Sequence, residues 1–134
     1  MILLTIDAKV NPNKRIEFLQ VVNSLFNSKK NNIGFLSYNA YQNTQDTNSL
    51  YLVQLWEDID MLNDHLQSET FTVFLGAMKI LLIGEPVVEI HTIYETETIT
   101  SIDELIGRTF ISSSVSKQNK EILDINWNRK KMVN

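Results

Sequence analysis

The chain has 134 residues, 43% hydrophobic and 21% charged, which suits one soluble globular domain or one domain with an appendage. Twelve Lys and Arg against sixteen Asp and Glu leave a formal charge of −4, which argues against a nucleic-acid partner and against polyanionic membrane surfaces. The absence of cysteine excludes disulfides, iron–sulfur clusters, thiolate zinc sites and cysteine nucleophiles, and two histidines are too few for a three-histidine metal site within one chain.

No apolar run approaches the roughly 18 residues needed to span a bilayer. Met1-Ile2-Leu3-Leu4-Thr5 has neither the basic start nor the cleavage site of a secretory signal, so a cytoplasmic location is the expectation. From Met1 to Val10 the pattern alternates. Ile2, Leu4, Ile6, Ala8 and Val10 face one side and Leu3, Thr5, Asp7 and Lys9 the other, as in a half-buried strand. Asn11-Pro12 reads as a helix start, with Asn as N-cap and Pro at the first helical position. Ile16, Leu19, Val22 and Phe26 follow at helical spacing, flanked by Phe18, Val21 and Leu25. The helix is expected to end near Lys29 or Lys30, before the Asn31, Asn32 and Gly34 punctuation.

Phe35 to Gln42 reads as a strand with Tyr38 and Tyr41 on opposite faces. Asn43 to Asn48 is a polar loop, and Leu50 to Trp56 is a second strand that closes a hairpin. Asp58 to Gln67 is a short helical segment. A second helix starts at Ser68-Glu69 and is expected to reach Gly84, with Pro86 as its stop. Val87 to Tyr94 is rich in β-branched residues, alternates, and reads as the fourth strand.

The order strand, helix, strand, strand, helix, strand is the split β-α-β arrangement of ferredoxin-like α+β folds, with an antiparallel sheet. Two helices cover one sheet face. The other face needs a partner, from the rest of the chain or from a second subunit. Residues 1–94 form this domain and carry 6 basic and 10 acidic side chains; residues 95–134 form a C-terminal extension with 6 of each. In the extension, Ser101-Ile102-Asp103-Glu104 has the form of a capping box, which predicts a short helix to Gly107. Thr109 to Ile111 reads as a strand fragment, and Ser116 to Leu123 as a second short helix capped by Ser116. The simplest role for the extension is packing on the domain or on a dimer partner. The Arg129-Lys130-Lys131 run reads as a solvated end.

The run Gln54-Leu55-Trp56-Glu57-Asp58-Ile59-Asp60-Met61-Leu62-Asn63-Asp64-His65-Leu66-Gln67-Ser68 resembles the antibiotic biosynthesis monooxygenase family. Its marks are a Trp closing the third strand, an acidic residue after it, and Leu-x-x-His-Leu-x-Ser ahead of the second long helix. Gly34-Phe35-Leu36-Ser37-Tyr38 and the Pro86-Val87 entry to the last strand are similar too. The resemblance covers about residues 1–94 and implies a homodimer of ferredoxin-like subunits whose sheets form a shared α/β barrel. The family contains cofactor-free oxygenases of hydroquinones and polycyclic phenols, haem-degrading enzymes, isomerases of small signalling sugars, and members without known activity.

For the oxygenase class the resemblance implies no cofactor and no metal: the substrate supplies the electrons. The site needs an apolar pocket and a proton acceptor. His65 matches the family histidine. At the expected pocket mouth it would accept a phenolic proton; its structural alternative is to orient the start of the helix. Trp56 would line the space between sheet and helices, or else pack in the core with its N–H bonded. Asp7 stands where haem-degrading members carry an Asn, and faces either solvent or a polar cavity. Tyr38, Phe71 and Phe74, with Tyr51, would form pocket walls or simple core. Haem-degrading members place a ligating His where Leu75 stands here, and the segment 68–82 has no His. His91 reads as a satisfied histidine on a dimer-facing surface.

Three readings follow. One is a monooxygenase of small aromatic hydroquinones or polyphenols, with His65 as proton acceptor. Another is a non-catalytic dimeric module of the same fold that binds a small ligand or serves a stress response. The third, a sugar-phosphate isomerase, would want Lys or Arg for the phosphate, and the body's cations lie mostly on expected solvent faces.

Overall fold

A computed structural model describes residues 1–29 and 32–114 of the chain. Along them run β1 (Ile2–Lys9), a 3-10 turn (Pro12–Lys14), α1 (Arg15–Lys29), β2 (Phe35–Gln42), β3 (Ser49–Trp56), α2 (Ile59–Leu66), α3 (Glu69–Leu81), β4 (Val87–Thr92) and α4 (Ile102–Ser114). They fall into two units, divided between Glu95 and Thr96.

In the first unit the strands form one open antiparallel sheet in the order β2-β3-β1-β4. This is the ferredoxin-like α+β fold that the element order predicts. The register fixes which side chains share a face, because directly paired residues point the same way. Ile2, Leu4, Ile6 and Ala8 pair with Trp56, Gln54, Leu52 and Leu50, and all eight are buried on the helix side. There α1 and α3 close the core, with the Phe18 and Phe74 rings 6.2 Å apart.

Local chemistry sets the helix starts. Asn11 Oδ1 accepts from Asn13 N at 3.1 Å, and Pro12 needs no donor at the first position. Asp58 Oδ1 accepts from Met61 N at 2.9 Å to cap α2, and Ser68 Oγ accepts from Phe71 N at 3.2 Å to cap α3. Gly34 sits at φ +82°, where a Cβ would overlap Met61. Its carbonyl accepts from Glu57 N at 2.9 Å, tying the start of β2 to the entry of α2. Only glycine meets both demands at this crossing.

Four expectations are corrected. On α1 the buried stripe is Phe18, Val22 and Leu25, and Ile16 is 71% exposed. The helix carries more apolar residues than one stripe can hold, and the position of α3 selects among them. Helix α3 stops at Leu81 rather than Gly84, because β1 takes over the chain there. Asn11 N donates to Leu81 O at 2.9 Å, Ile83 N donates to Lys9 O at 2.7 Å, and Leu82 is extended. Strand β4 ends at Thr92, where its pairing with Ile2 ends. In the second unit α4 continues past Gly107 to Ser114, so Thr109 to Ile111 is helix, not strand.

The α4 start uses Ser101 Oγ as acceptor for Glu104 N at 3.0 Å, while Glu104 reaches back to Thr100 N at 3.1 Å. Arg108 pairs with Glu97. The expected helix from Ser116 lies outside the described residues.

Among the described residues of the first unit, no element covers the other sheet face. Leu3, Thr5, Val53 and Leu55 occupy its middle by register, with Asp7, Tyr51, Tyr41, Glu89 and His91 around them. His91 Nε2 lies 3.8 Å from Glu89 Oε2. No helix among the described residues is long and apolar enough to cross a membrane.

Candidate functional site

The chemistry-bearing side chains meet where the end of β3 passes under α2. The Asp58 cap starts α2 two residues after Trp56, so one turn later Leu62 and His65 share the inward face. Ser68 then ends the segment tightly: its N–H and Oγ both donate to His65 O, at 3.0 and 2.7 Å. Together these contacts hold the His65 backbone against the sheet.

His65 lies in the last turn of α2, just ahead of α3 as expected, but is buried, at 2% exposure, rather than at an open mouth. Its ring stacks on Trp56 with centroids 4.9 Å apart and planes 24° apart. The His65 ring also meets Phe71 at 4.9 Å, tilted by 59°. Phe35 meets the Trp56 ring edge-on at 5.5 Å. The edges of Trp56 and His65 form part of a cleft of about 550 Å³, together with Asn32, Ile33, Met61, Asp64 and Ser68. A volume of that size admits a one- or two-ring aromatic molecule.

Trp56 Nε1 donates to Gln54 Oε1 at 3.0 Å, a fully buried bond along the same face of β3. Trp56 is thus both a packed core residue with its N–H bonded and a wall of the cleft. Gln54 was not among the sequence candidates. The signal was there, since it is the polar member of an apolar strand two residues before Trp56 and therefore on the same face.

Of the other sequence candidates, Phe71 joins this group directly. Phe74 packs behind it at 5.8 Å, in the main core with Phe18. Tyr38 lies on the helix face opposite Gln54 and packs on Phe26 at 5.7 Å, away from the cleft lining. Asp7 does not join the group. It pairs with Tyr51 and Val87 on the open sheet face, is exposed, and lies with Tyr41 and Tyr51 in a shallow depression of about 190 Å³. Trp56 and Asp7 are on opposite faces because Trp56 pairs with Ile2, an odd number of residues from Asp7. Tyr51 is on that far face too. Leu75 is 41% exposed and lines a separate cavity along α3 with Met78, Lys79 and Leu82. Among the described residues no group of three or more His, Asp or Glu is arranged to hold a metal ion.

Burial raises the Tyr38 phenol far above its ordinary value near 10. The unfolded chain releases this proton first, so Tyr38 contributes stability that is complete below about pH 10 and is lost as the pH rises above it. Tyr38→Phe should therefore flatten the alkaline fall in stability by up to about 1.4 kcal/mol per pH unit above pH 10. Urea titrations of both proteins between pH 9 and 11 measure this; parallel curves would show that the phenol is not buried in solution.

A family model for antibiotic biosynthesis monooxygenase matches residues 1–77. A Synechocystis protein, the uncharacterized protein sll1783, is 28% identical over 91 residues, 68% of this chain. That match spans 62% of the Synechocystis protein, less than two thirds of its length. The Bacillus subtilis protein named "Putative monooxygenase YcnE" is 29% identical over 82 residues, 61% of this chain and 86% of its own. Among solved structures, one from Caulobacter crescentus CB15 named as a putative antibiotic biosynthesis monooxygenase superposes with a TM-score of 0.66 at 27% identity. It covers 70% of this chain and 90% of that one.

Proposed function

The chain belongs to the antibiotic biosynthesis monooxygenase family, and from that premise we propose that it oxidises a small hydroquinone or polyphenol with molecular oxygen, without a cofactor. The observation that carries this reading is the buried His65 ring stacked on Trp56 at 4.9 Å in the wall of the cleft. An imidazole set among aromatic rings can take a phenolic proton from a flat ligand seated beside it. The resulting phenolate is electron-rich enough to reduce oxygen. For a hydroquinone the balance is hydroquinone plus O2 giving hydroxyquinone plus water. The ring loses four electrons, one oxygen atom enters it, and the other leaves as water.

A second copy of the chain would cover the open sheet face, whose centre is Leu3, Val53 and Leu55. We expect sedimentation equilibrium to give twice the 15.5 kDa chain mass, and Val53→Lys to return the single-chain mass. A wild-type protein that runs as a monomer would remove this part of the proposal.

One observation favours the alternative of a non-catalytic binding module. Phe71 packs on Phe74 and Phe74 on Phe18 in the main core, while Trp56 packs with Ile2, Leu4 and Leu62 in a second buried cluster, as in an ordinary core. Oxygen uptake by the purified protein with a panel of hydroquinones and polycyclic phenols, without added metal or flavin, separates the two. Uptake above the chemical background supports the oxygenase, and none with any substrate supports the module.

A further inference from the structure

Behind the Trp56 wall lie two buried polar groups without a hydrogen-bond partner among the described residues, Gln54 Nε2 and Tyr38 Oη. Buried donors in native proteins are nearly always paired, so two orphans side by side call for an explanation. They are neighbours by register: Tyr38 and Gln54 are directly opposite on β2 and β3, on the helix face, which sets their Cβ atoms about 5 Å apart. Their surroundings are apolar. Leu4 flanks Gln54 on the β1 side, and Phe26 packs on Tyr38. Gln54 is 1% exposed and Tyr38 6%.

The amide is also oriented. Because Gln54 Oε1 accepts the Trp56 indole N–H, its NH2 end must point elsewhere. A buried network left half-satisfied costs more than an apolar core would, so an isoleucine or leucine pair would serve stability better at these two places.

We propose that Gln54 Nε2 and Tyr38 Oη form a donor pair for an oxygen atom of the ligand, a phenolate or quinone carbonyl oxygen. The pair comes into reach when an aromatic ring enters from the cleft and parts the Trp56–His65 stack. This rests on the oxygenase reading for the class of ligand and adds the group that recognises it. Phenolate and carbonyl oxygens accept hydrogen bonds and cannot donate them, which matches a pair of donors on paired residues of one sheet face. The polar end of the ligand would then be fixed at the sheet, and the ring to be oxidised would lie between Trp56 and His65.

Calorimetric titration of the full chain with 1,4-naphthoquinone, which is stable to oxygen, provides the test, with naphthalene as the same rings without oxygen. Tyr38→Phe removes only the hydroxyl, and Gln54→Met removes the amide at similar volume. Each should weaken naphthoquinone binding by about tenfold, the usual effect of one hydrogen bond. Naphthalene binding should be unchanged, and Tyr38→Phe should not lower the melting temperature. Tyr38→Phe keeps the assignment falsifiable if Gln54→Met, which also strips Trp56 of its acceptor, folds poorly.

Naphthoquinone binding that is equal in wild type and Tyr38→Phe overturns the donor pair alone. So does a Tyr38→Phe protein that binds both ligands equally less well and melts lower, since that is the mark of a structural hydroxyl. Wild type that binds no naphthoquinone and consumes no oxygen with any hydroquinone overturns the pair together with the reading beneath it.

Discussion

His65→Ala should lower kcat/KM for hydroquinone-dependent oxygen uptake by about 10²–10⁴-fold, the span that a positioned general base usually contributes. This corresponds to about 3–5 kcal/mol of transition-state stabilisation. The magnitude follows from placement. His65 is buried, its ring meets Trp56 and Phe71, and its backbone is tied by Ser68. A base held in this way loses little entropy on reaching the productive geometry. The same fixity makes the variant informative, because alanine leaves a ring-sized gap against Trp56. Added imidazole should enter that gap and restore part of the rate. A His65→Ala protein that keeps wild-type uptake would leave the oxygenase standing and remove His65 as its base. Lost activity without imidazole rescue, alongside a lowered melting temperature, would assign His65 to structure instead.

Trp56→Ala should destabilise the fold by about 3–5 kcal/mol, the usual loss for a fully buried large aromatic. Against a total of about 5–15 kcal/mol for a small domain, this is a large share. The side chain is 1% exposed, meets Phe35 and His65 ring to ring, and satisfies Gln54 Oε1. Its removal opens a cavity and leaves that buried carbonyl unpaired. Trp56→Phe keeps a ring for the stack but not the indole N–H. It should cost about 1–3 kcal/mol, mostly for the orphaned acceptor. Urea unfolding followed by circular dichroism measures both. A loss below about 1 kcal/mol for alanine would mean that this corner of the core is not packed as described.

Much of this was legible in the sequence because local signals and global fold agree. Asn11-Pro12, Asp58 and Ser68 each start a helical element where capping chemistry requires, and alternation along β1 marks its buried face correctly. The run from Trp56 to Ser68 holds the candidate residues Trp56 and His65 in one stretch.

What stayed hidden depends on pairing. Whether Asp7 shares a face with Trp56 is decided by the β1–β3 register, which spans about forty residues of chain and no local signal fixes it. Asp7 and Tyr51 therefore lie on the sheet face away from Trp56. The stripe on α1 is undecided by sequence for a related reason: Ile16 and Phe18 are equally apolar, and only the docked α3 chooses between them. Gln54 is hard to read from sequence because a polar residue in a strand usually marks the solvent face. Here it faces the core and holds the Trp56 N–H.

The most direct test of the central claim is a turnover experiment under ¹⁸O2 with a naphthohydroquinone substrate and protein dialysed against chelator. One ¹⁸O atom should appear in the hydroxyquinone and one in water, at a rate above that of the protein-free mixture. Unlabelled quinone formed at the protein-free rate would contradict it, and would leave the fold with a binding role.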